Sequence, residues 1–416
     1  MRLRFRPVAF LLCSSLLLIA SGCSIFRPQP VVIHPAKSLP ATTPWDLATL
    51  SKAPHYEWSD RTGPVWSLYY AGPEYQGKPT RVFAYYASPD TLGVQMPDCE
   101  GFPGVVLVHG GGGTAFKEWA ELWAKRGYAA IAMDLSGCGP DKKPLPDGGP
   151  SQDDDVKFGR VDQPPQDQWT YHAVADVILA HSLLLSFEDV DAGRTAVTGI
   201  SWGGYLTCIV AGLDSRFKAA VPVYGCGFLQ DNSVWLPRFA QMTPEQRARW
   251  TRLWDPSMYI GSAAMPVLFI NGTNDFAYPL DSYAKTYNLV KDRNLRITVN
   301  MPHGHREGWS PAEIGLFIDE HLLDGKPLPK IQRPAVADGQ AVAKVQSKTR
   351  LASAELIYTT ETGPINKRNW QKVPAEIQGK RIVARAPPQE ATIWFLTVTD
   401  SREAVTSSEL IFASKP

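Results

Sequence analysis

Short apolar segments alternate with amphipathic segments between residues 103 and 323, and this alternation limits the fold more than any other feature. PGVVLVHG, YAAIAMD, RTAVTGI and MPVLFING are typical of buried strands, whereas FKEWAELWAKRGY and WTYHAVADVILAHSLLLSF have helical spacing. Strands that are separated by helices can pair in parallel, and the helices then bury both faces of the sheet. The sequence therefore predicts an α/β fold in which helices cover a mostly parallel sheet on both faces.

Two segments interrupt this alternation. A polar stretch over residues 136–168, rich in glycine, proline and aspartate, is predicted to be an excursion loop. A second insertion over residues 228–260 contains TPEQRARWTRLW, which has the capping box of a helix start, together with several aromatic side chains. These aromatic side chains either line a pocket beneath a lid or pack as the core of a small subdomain, and the sequence leaves both open.

The pattern changes near residues 325–334, where DGKPLPKIQRP ends the helical spacing. Beyond it, SAELIYTT, KRIVARA, ATIWFLTVTD and SSELIFA have the length and composition of short strands. We therefore predict two folded units. They are an α/β domain over residues 45–328 and a small immunoglobulin- or fibronectin-like β-sandwich over residues 332–416.

The N-terminus has the pattern of a bacterial targeting segment. The basic stretch MRLRFR precedes the apolar run VAFLLCSSLLLIA, which predicts a signal peptide over residues 1–22. IASGC resembles a lipobox, so we predict that Cys23 is lipidated and that Ser24 directs an outer-membrane lipoprotein. A proline-rich tether over residues 23–44 would join this lipid anchor to the folded part on the periplasmic or cell-surface side.

Charge and cysteine content bear on the classes of partner. The chain has 42 Lys and Arg residues against 41 Asp and Glu residues and no basic run, so nucleic acid is not an expected partner. Cys99, Cys138, Cys208 and Cys226 remain beyond the targeting segment, and the sequence leaves disulfides and buried free thiols equally open. No cysteine and histidine spacing is typical of zinc, and we expect neither a metal nor an organic cofactor.

Ser201 lies in TGISWGGY, between a strand and a helix, at the centre of a G-x-S-x-G pattern. A serine hydroxyl is a weak nucleophile that must be exposed, next to a base and close to donors for the developing oxyanion. A sharp turn from strand to helix exposes the hydroxyl, and the glycines let the two elements approach closely. The motif therefore makes Ser201 the candidate nucleophile of an acyl-transfer enzyme.

Two other strand ends supply groups that such a serine needs. The glycine loop in VLVHGGGGTAF follows an earlier strand, so the oxyanion donors are predicted to be the amides of Trp202 and of Gly111 or Gly112. FINGTNDFAYP ends a later strand at Asp275, where a carboxylate can hold an imidazole in the required tautomer. The chain order serine, aspartate, histidine is the one expected in this kind of fold.

The histidine is expected in MPHGHREGW, the loop that follows the last core strand. This loop carries both His303 and His305, and Gly304 gives it the freedom to present either ring. A metal-binding pair would need further ligands at the same place, so the sequence favours one catalytic base and one neighbour. The residues themselves leave open which of the two histidines is the base.

Four of these stretches resemble the α/β-hydrolase superfamily over residues 65–323, namely HGGGGTAFKEWAELWAKRGYAAIAMD, GISWGGYLTC, NGTNDFAYP and HGHREGW. They are most similar to acetyl xylan esterase, cephalosporin C deacetylase-like and dienelactone hydrolase-like enzymes. In those deacetylases the catalytic histidine follows a glycine and precedes polar or acidic residues, so the resemblance implies that His305, in GHRE, is the base. It also implies small acyl esters of carbohydrate type as substrates.

Together these features favour a serine ester hydrolase in which Ser201 attacks, His305 accepts its proton and Asp275 orients His305. One alternative is a prolyl-oligopeptidase-like serine peptidase, which usually carries a β-propeller, although fewer than 80 residues separate Cys23 from PGVVLVHG. A lesser alternative is a hydrolase fold that only binds, a class that normally lacks triad residues. All triad candidates precede residue 325, so we expect the sandwich to supply no catalytic group.

Overall fold

The computed structural model describes residues 33, 37–94 and 101–413. The predicted signal peptide, Cys23 and most of the proline-rich tether lie outside these residues, and so does Cys99. In the part of the chain that the structure describes, no helix has the length and apolar character needed to cross a membrane. Lipid anchoring and the targeting segment therefore stay predictions.

One continuous sheet is formed by nine strands that precede residue 300. Their bounds are β1 Tyr56–Asp60, β2 Trp66–Tyr75, β3 Lys78–Ala87, β4 Phe102–Val108, β5 Ala129–Met133, β6 Val190–Ile200, β7 Ala219–Val223, β8 Val267–Gly272 and β9 Arg293–Thr298. The spatial order is 1-2-3-5-4-6-7-8-9, with antiparallel pairing from β1 to β5 and parallel pairing from β5 to β9. The predicted mostly parallel sheet is confirmed, with an antiparallel extension at one edge.

Helices occupy the connections between these strands. Their bounds are α1 Leu47–Leu50, α2 Lys117–Lys125, α3 Asp154–Gly159, α4 Trp169–Leu184, α5 Trp202–Leu213, α6 Leu236–Ala240, α7 Pro244–Trp254, α8 Leu280–Tyr287, α9 His305–Trp309 and α10 Ala312–Leu322. Short 3₁₀ turns lie at Pro140–Lys142, Pro165–Asp167, Pro256–Met258, Ile260–Ser262 and Ile365–Lys367. The predicted excursion over residues 136–168 thus contains α3 and two 3₁₀ turns, and the predicted capping box of α7 is present at Thr243 and Gln246.

The central strands are buried along their whole length because helices pack against the sheet. Every residue of β4, β5, β7 and β8 is buried. Strands that are covered on both faces need apolar residues at every position, which is why these segments are continuous apolar runs. The sheet therefore gives a rigid base for the loops at its carboxyl edge, where ligands bind in open α/β sheets.

The chain after α10 forms a second, β-rich unit. Its strands are β10 Lys330–Ile331, β11 Ala335–Ala337, β12 Gln340–Gln346, β13 Leu351–Thr359, β14 Gln371–Gln378, β15 Arg381–Arg385, β16 Ile393–Asp400, β17 Val405–Ser407 and β18 Ile411–Phe412. β12 pairs with β15, β13 pairs with β16, and β14 bridges the two layers. Apolar side chains such as Ala343, Leu356, Ile382 and Leu396 fill the space between them. The predicted sandwich is confirmed, and its immunoglobulin or fibronectin likeness stays a prediction.

The sandwich is joined to the α/β sheet through shared strand pairing and a shared core. β17 pairs antiparallel with β9, so that Ser407 lies opposite Leu295 and covers an otherwise open sheet edge. On the other face of β13 and β16, the side chains of Ile357, Ile393 and Phe395 pack in the core of the α/β unit. The two units therefore do not meet at a merely polar surface.

Charged groups complete this junction. Glu313 on α10 is buried; its Oε1 accepts a hydrogen bond from the Val405 amide at 2.6 Å, and its Oε2 lies 2.9 Å from Arg296 Nε. Arg293 and Glu409 form a second ion pair with an N–O distance of 2.5 Å. These contacts hold β17 against β9, the strand that leads into the loop with His303 and His305.

Candidate active site

Ser201 lies at the turn between β6 and α5 in a backbone conformation that residues other than glycine rarely adopt. Its φ is 59° and its ψ is −118°. Such a conformation costs on the order of 1–3 kcal/mol and persists only where the surroundings impose it. Here a buried strand and a buried helix flank the turn, and the Ser201 amide donates to the Val223 carbonyl of β7 at 2.9 Å. This strained turn is the geometry that presents a nucleophilic serine.

The glycines of the motif are required by close backbone approach. A β-carbon on Gly203 would lie 2.0 Å from the Val108 carbonyl oxygen, and one on Gly199 would lie 2.3 Å from the Gly203 carbonyl oxygen. Neither contact is sterically allowed, so a side chain at either position would push α5 away from the sheet. The glycines thereby hold Ser201 beside the carboxyl end of β4, where the glycine loop begins.

His303 is the histidine that lies between Ser201 and Asp275. Its Nε2 lies 2.9 Å from Ser201 Oγ, and its Nδ1 lies 2.7 Å from Asp275 Oδ2. The prediction that His305 has this position is wrong, because His305 Nε2 instead accepts a hydrogen bond from the Gly110 amide at 3.1 Å. The structure therefore brings Ser201, Asp275 and His303 together in the geometry of a catalytic triad.

Asp275 is held in place by the loop that it begins. It is buried, and its Oδ1 accepts hydrogen bonds from the amides of Ala277 at 2.9 Å and Tyr278 at 2.7 Å. The other oxygen, Oδ2, is the one that contacts His303. The carboxylate thus forms an Asx-type turn and still presents an acceptor to the imidazole, which fixes the proton of His303 on Nδ1 and leaves Nε2 to face the serine.

Two aromatic residues that the sequence analysis does not name pack against His303. Tyr224, with φ of 63°, stacks on the imidazole with ring centroids 4.4 Å apart, and its hydroxyl donates to the Pro302 carbonyl at 2.6 Å. Phe276 lies on the imidazole at 4.9 Å and is 53% exposed. Tyr224 directly follows β7 at the carboxyl edge of the sheet, and that position in the sequence was the available signal for it.

The glycine loop passes beside the nucleophile. Gly112 is exposed, and its carbonyl accepts a hydrogen bond from Lys142 Nζ at 2.7 Å. Gly111 lies over the indole of Trp202. Gly110 is the glycine whose surroundings include the nucleophile, because a β-carbon there would lie 3.0 Å from Ser201 Cβ. The Gly110 amide itself donates to His305 Nε2, so the amides of Gly111 and Gly112 stay the predicted oxyanion donors of this loop.

The amide of Trp202 is the second backbone donor at this place. Trp202 is the first residue of α5, and the first amides of a helix have no carbonyl partner within it. The helix dipole adds partial positive charge at the same end. Trp202 therefore lies where its prediction as an oxyanion donor requires.

Aromatic side chains from both insertions pack around Trp202. Trp235 contacts its indole with ring centroids 4.5 Å apart, and Lys157 of α3 places Nζ 4.1 Å from its ring centroid. Lys157 is buried and pairs with Asp154 at 2.8 Å, and burial lowers its pKa. Side chains of the excursion and the insertion thus pack together around Trp202, next to the nucleophile, as the predicted alternative of a small core requires.

The remaining candidate groups are the cysteines and the side chains that could bind a metal ion. In the described ranges Cys138, Cys208 and Cys226 are free thiols, and the latter two are buried. Across the same residues, no cluster of three or more His, Cys, Asp or Glu side chains is arranged to hold a metal ion. The site is thus described by the serine, two histidines, the aspartate and backbone amides.

The sheet order, the strained serine turn and the Ser–His–Asp geometry are those of the α/β-hydrolase fold. Residues 47–246 match the acetyl xylan esterase family, and residues 239–387 match the family of PhoPQ-activated pathogenicity-related proteins. The predicted resemblance to acetyl xylan esterases is confirmed by the first of these matches. The second match runs from the insertion into the sandwich and therefore crosses the junction between the two units.

Similar proteins agree with this assignment. The acetyl esterase Axe7A of Xylanibacter ruminicola is 24% identical over 223 residues, which are 50% of this chain and 49% of that protein. The chain thus spans about half the length of this curated relative.

Two solved structures share the fold. The acetyl xylan esterase from Paenibacillus sp. R4 superposes with a TM-score of 0.55 at 23% identity, covering 66% of this chain and 92% of that one. Acetyl xylan esterase 1 from Thermoanaerobacterium sp. JW/SL YS485 gives a TM-score of 0.52 at 17% identity, covering 68% and 96%. Because so much of each enzyme is covered, the shared part is their whole hydrolase fold.

Proposed function

We propose that this protein is a serine ester hydrolase that removes acetyl groups from carbohydrate esters. The observation that carries the proposal is the pair of hydrogen bonds at His303, to Ser201 Oγ at 2.9 Å and to Asp275 Oδ2 at 2.7 Å. This arrangement lets an imidazole remove the serine proton while a carboxylate stabilises the imidazolium that forms. The acetyl and carbohydrate parts of the proposal rest on the similarity to acetyl xylan esterases.

The reaction follows from the geometry. Ser201 Oγ attacks the ester carbonyl carbon as its proton moves to His303 Nε2, and the carbonyl oxygen becomes an oxyanion that faces the amides of Trp202 and of Gly111 or Gly112. His303 then gives the proton to the leaving alcohol, and an acyl-enzyme remains on Ser201. Water, activated by His303 in the same way, hydrolyses it and releases the acid. None of the contacts in this cycle involves a residue of the sandwich.

Acetate release from defined substrates tests the proposal. We expect the purified protein to release acetate from p-nitrophenyl acetate and from acetylated xylo-oligosaccharides, and Ser201→Ala to release none above background. The variant removes only the Ser201 hydroxyl, so the aromatic residues packed around Trp202 stay in place. Release of p-nitroaniline from aminoacyl p-nitroanilides at higher kcat/KM than any ester would instead identify a peptidase.

We also propose that the chain is a lipoprotein of the outer membrane, facing the periplasm or the cell surface. The support is the lipobox-like IASGC before Cys23, with a basic and apolar segment ahead of it. In a bacterial host, Cys23→Ser is expected to move the protein from the membrane fraction to the soluble fraction or to block its processing. The matched control is Ser24→Ala, which keeps the cysteine. Unchanged mass and fractionation of Cys23→Ser would contradict lipidation.

A further inference from the structure

A cavity of about 760 Å³ lies between the α/β unit and the sandwich. Pro266 and Asp292 line it, and they directly precede the parallel strands β8 and β9. Asp275 and His303 follow the other ends of the same two strands, and the six residues of β8 span about 20 Å. The cavity therefore lies at the edge of the sheet opposite to the triad. Its volume is that of a ligand site, which is typically about 300–1,000 Å³.

Four cationic side chains line this cavity, and three of them come from two turns of the sandwich. Lys348 and Arg350 belong to the turn between β12 and β13, and Lys380 belongs to the turn between β14 and β15. Within the part of the chain that the structure describes, none of these three has an ion-pair partner. The fourth, Lys330, pairs with Asp292 at 2.6 Å. Cations that are gathered around a cleft without counter-charges attract an anionic ligand.

The acidic side chains of the cavity do not neutralise this charge. Asp292 is already paired with Lys330, and Glu320 Oε2 accepts a hydrogen bond from the Leu328 amide at 3.1 Å. These are the two carboxylates of the lining, and they stand against four cations. The cavity therefore has a net positive charge.

Neutral hydrogen-bonding groups lie beside these charges. Asn294, Gln346 and Ser347 line the cavity together with His321. The Nε2 atom of His321 is buried and has no hydrogen-bond partner among the described residues, since Glu320 Oε1 lies 3.9 Å away. Buried polar atoms are nearly always hydrogen bonded, so an unpaired one in the wall of a cavity indicates a ligand with polar groups of its own.

We propose that this cavity binds an acidic oligosaccharide, a short chain of sugars that carries carboxylate groups. The carboxylates contact the cations of the two turns, and the hydroxyls contact the neutral groups of the wall. Because the triad lies at the opposite edge of the sheet, the site holds one part of a polymer while an acetyl ester elsewhere on it reacts. The inference rests on the proposed ester hydrolysis and narrows its carbohydrate to one with carboxylate groups.

Isothermal titration calorimetry of the full chain tests this binding. The probes are xylotetraose with one glucuronosyl branch and the same molecule with its carboxyl group reduced to an alcohol. We expect the carboxylated probe to bind about 10-fold more tightly in low salt, and this preference to disappear at about 1 M salt, where charges are screened within a few ångströms. Neither probe carries an ester, so binding is measured without turnover at Ser201.

Removal of charge from the two turns is the second arm of the experiment. The double variant Lys348→Gln, Lys380→Gln is expected to bind the carboxylated probe about 10-fold more weakly, because two charge-assisted hydrogen bonds are lost. Its affinity for the reduced probe is expected to stay the same. Lys367→Gln is the matched control, since Lys367 is an exposed lysine of the sandwich that does not line the cavity. The urea midpoint of each variant checks that it is folded.

Equal affinity for the two probes, or unchanged affinity in the double variant, would overturn the proposal. Inorganic phosphate is the probe for charge alone, and phosphate that binds as tightly as the carboxylated probe would show a simple anion site instead. Vesicles of phosphatidylglycerol that bind through Lys348 and Lys380, with no binding of the oligosaccharide, would show a membrane contact instead. None of these results bears on hydrolysis of p-nitrophenyl acetate, and absence of that hydrolysis would contradict the proposed function without changing the measured affinities.

Discussion

Replacement of His303 by alanine is expected to lower kcat/KM for p-nitrophenyl acetate by at least about 10³-fold, as much as Ser201→Ala. The reason is that His303 Nε2, 2.9 Å from Ser201 Oγ, is the acceptor for the serine proton. Residues that act as one unit in a reaction show strongly non-additive losses. The double variant Ser201→Ala, His303→Ala is therefore expected to be hardly less active than either single one.

The matched comparison is His305→Gln, which changes the other histidine of the same loop. Because burial lowers the pKa of His305 to about 4, this ring is already neutral at pH 5 and cannot produce a loss of activity between pH 5 and 8. Any fall of kcat/KM with acid in that range should therefore persist in His305→Gln. Near-parental activity of a folded His303→Ala variant, together with an inactive His305→Ala, would reverse the two roles.

Much of the site follows from the sequence because each group comes at the end of a buried strand. Ser201 directly follows β6 and Asp275 follows β8, and parallel strands bring their carboxyl ends to the same edge of the sheet. The G-x-S-x-G spacing also reports a steric requirement, since β-carbons at Gly199 and Gly203 would clash with backbone. Strand order and close approach are thus encoded locally, in patterns that a single sequence displays.

The choice between the two histidines could not be made in this way. Gly304 between them is extended, with φ of −162° and ψ of 165°. In extended backbone, residues two apart point to the same side, so the spacing of the two histidines does not separate their roles. The contact of His303 with Ser201 and that of His305 with Gly110 depend on the start of α9 and on packing against Tyr224 and Phe116. The match to GHRE carried no information about that packing.

The sandwich was predicted as a unit, but its integration into the enzyme was not. A strand that packs on one face alternates apolar and polar residues, whereas IWFLTV in β16 is apolar at almost every position. Trp394, Leu396 and Val398 face the sandwich core, and Ile393 and Phe395 face the α/β core. The missing alternation was the signal that β16 is covered on both sides.

The second large effect is therefore expected from Phe395→Ala, at a residue that lies outside the hydrolase sheet. Phe395 is fully buried in the core shared with the α/β unit. Truncation of a buried phenylalanine costs about 3–5 kcal/mol, a large part of the 5–15 kcal/mol or so that stabilises a typical folded protein. We expect one unfolding transition in urea, followed by tryptophan fluorescence, with a midpoint well below that of the unaltered protein. Esterase activity should be lost at the same urea concentration.

Val336→Ala is the matched control, because Val336 is also an apolar residue of the sandwich but is 52% exposed. It is expected to change the free energy of unfolding by no more than about 0.5 kcal/mol, the usual range for surface substitutions, and so to leave the urea midpoint almost unchanged. If Phe395→Ala unfolds in two steps and activity survives the first, the sandwich is an independent domain. If it unfolds in one step, the shared core and the pairing of β17 with β9 make the sandwich part of the support for the loop that carries His303. Deletion of residues 330–416 should then give no soluble enzyme, although every proposed catalytic group lies before that segment.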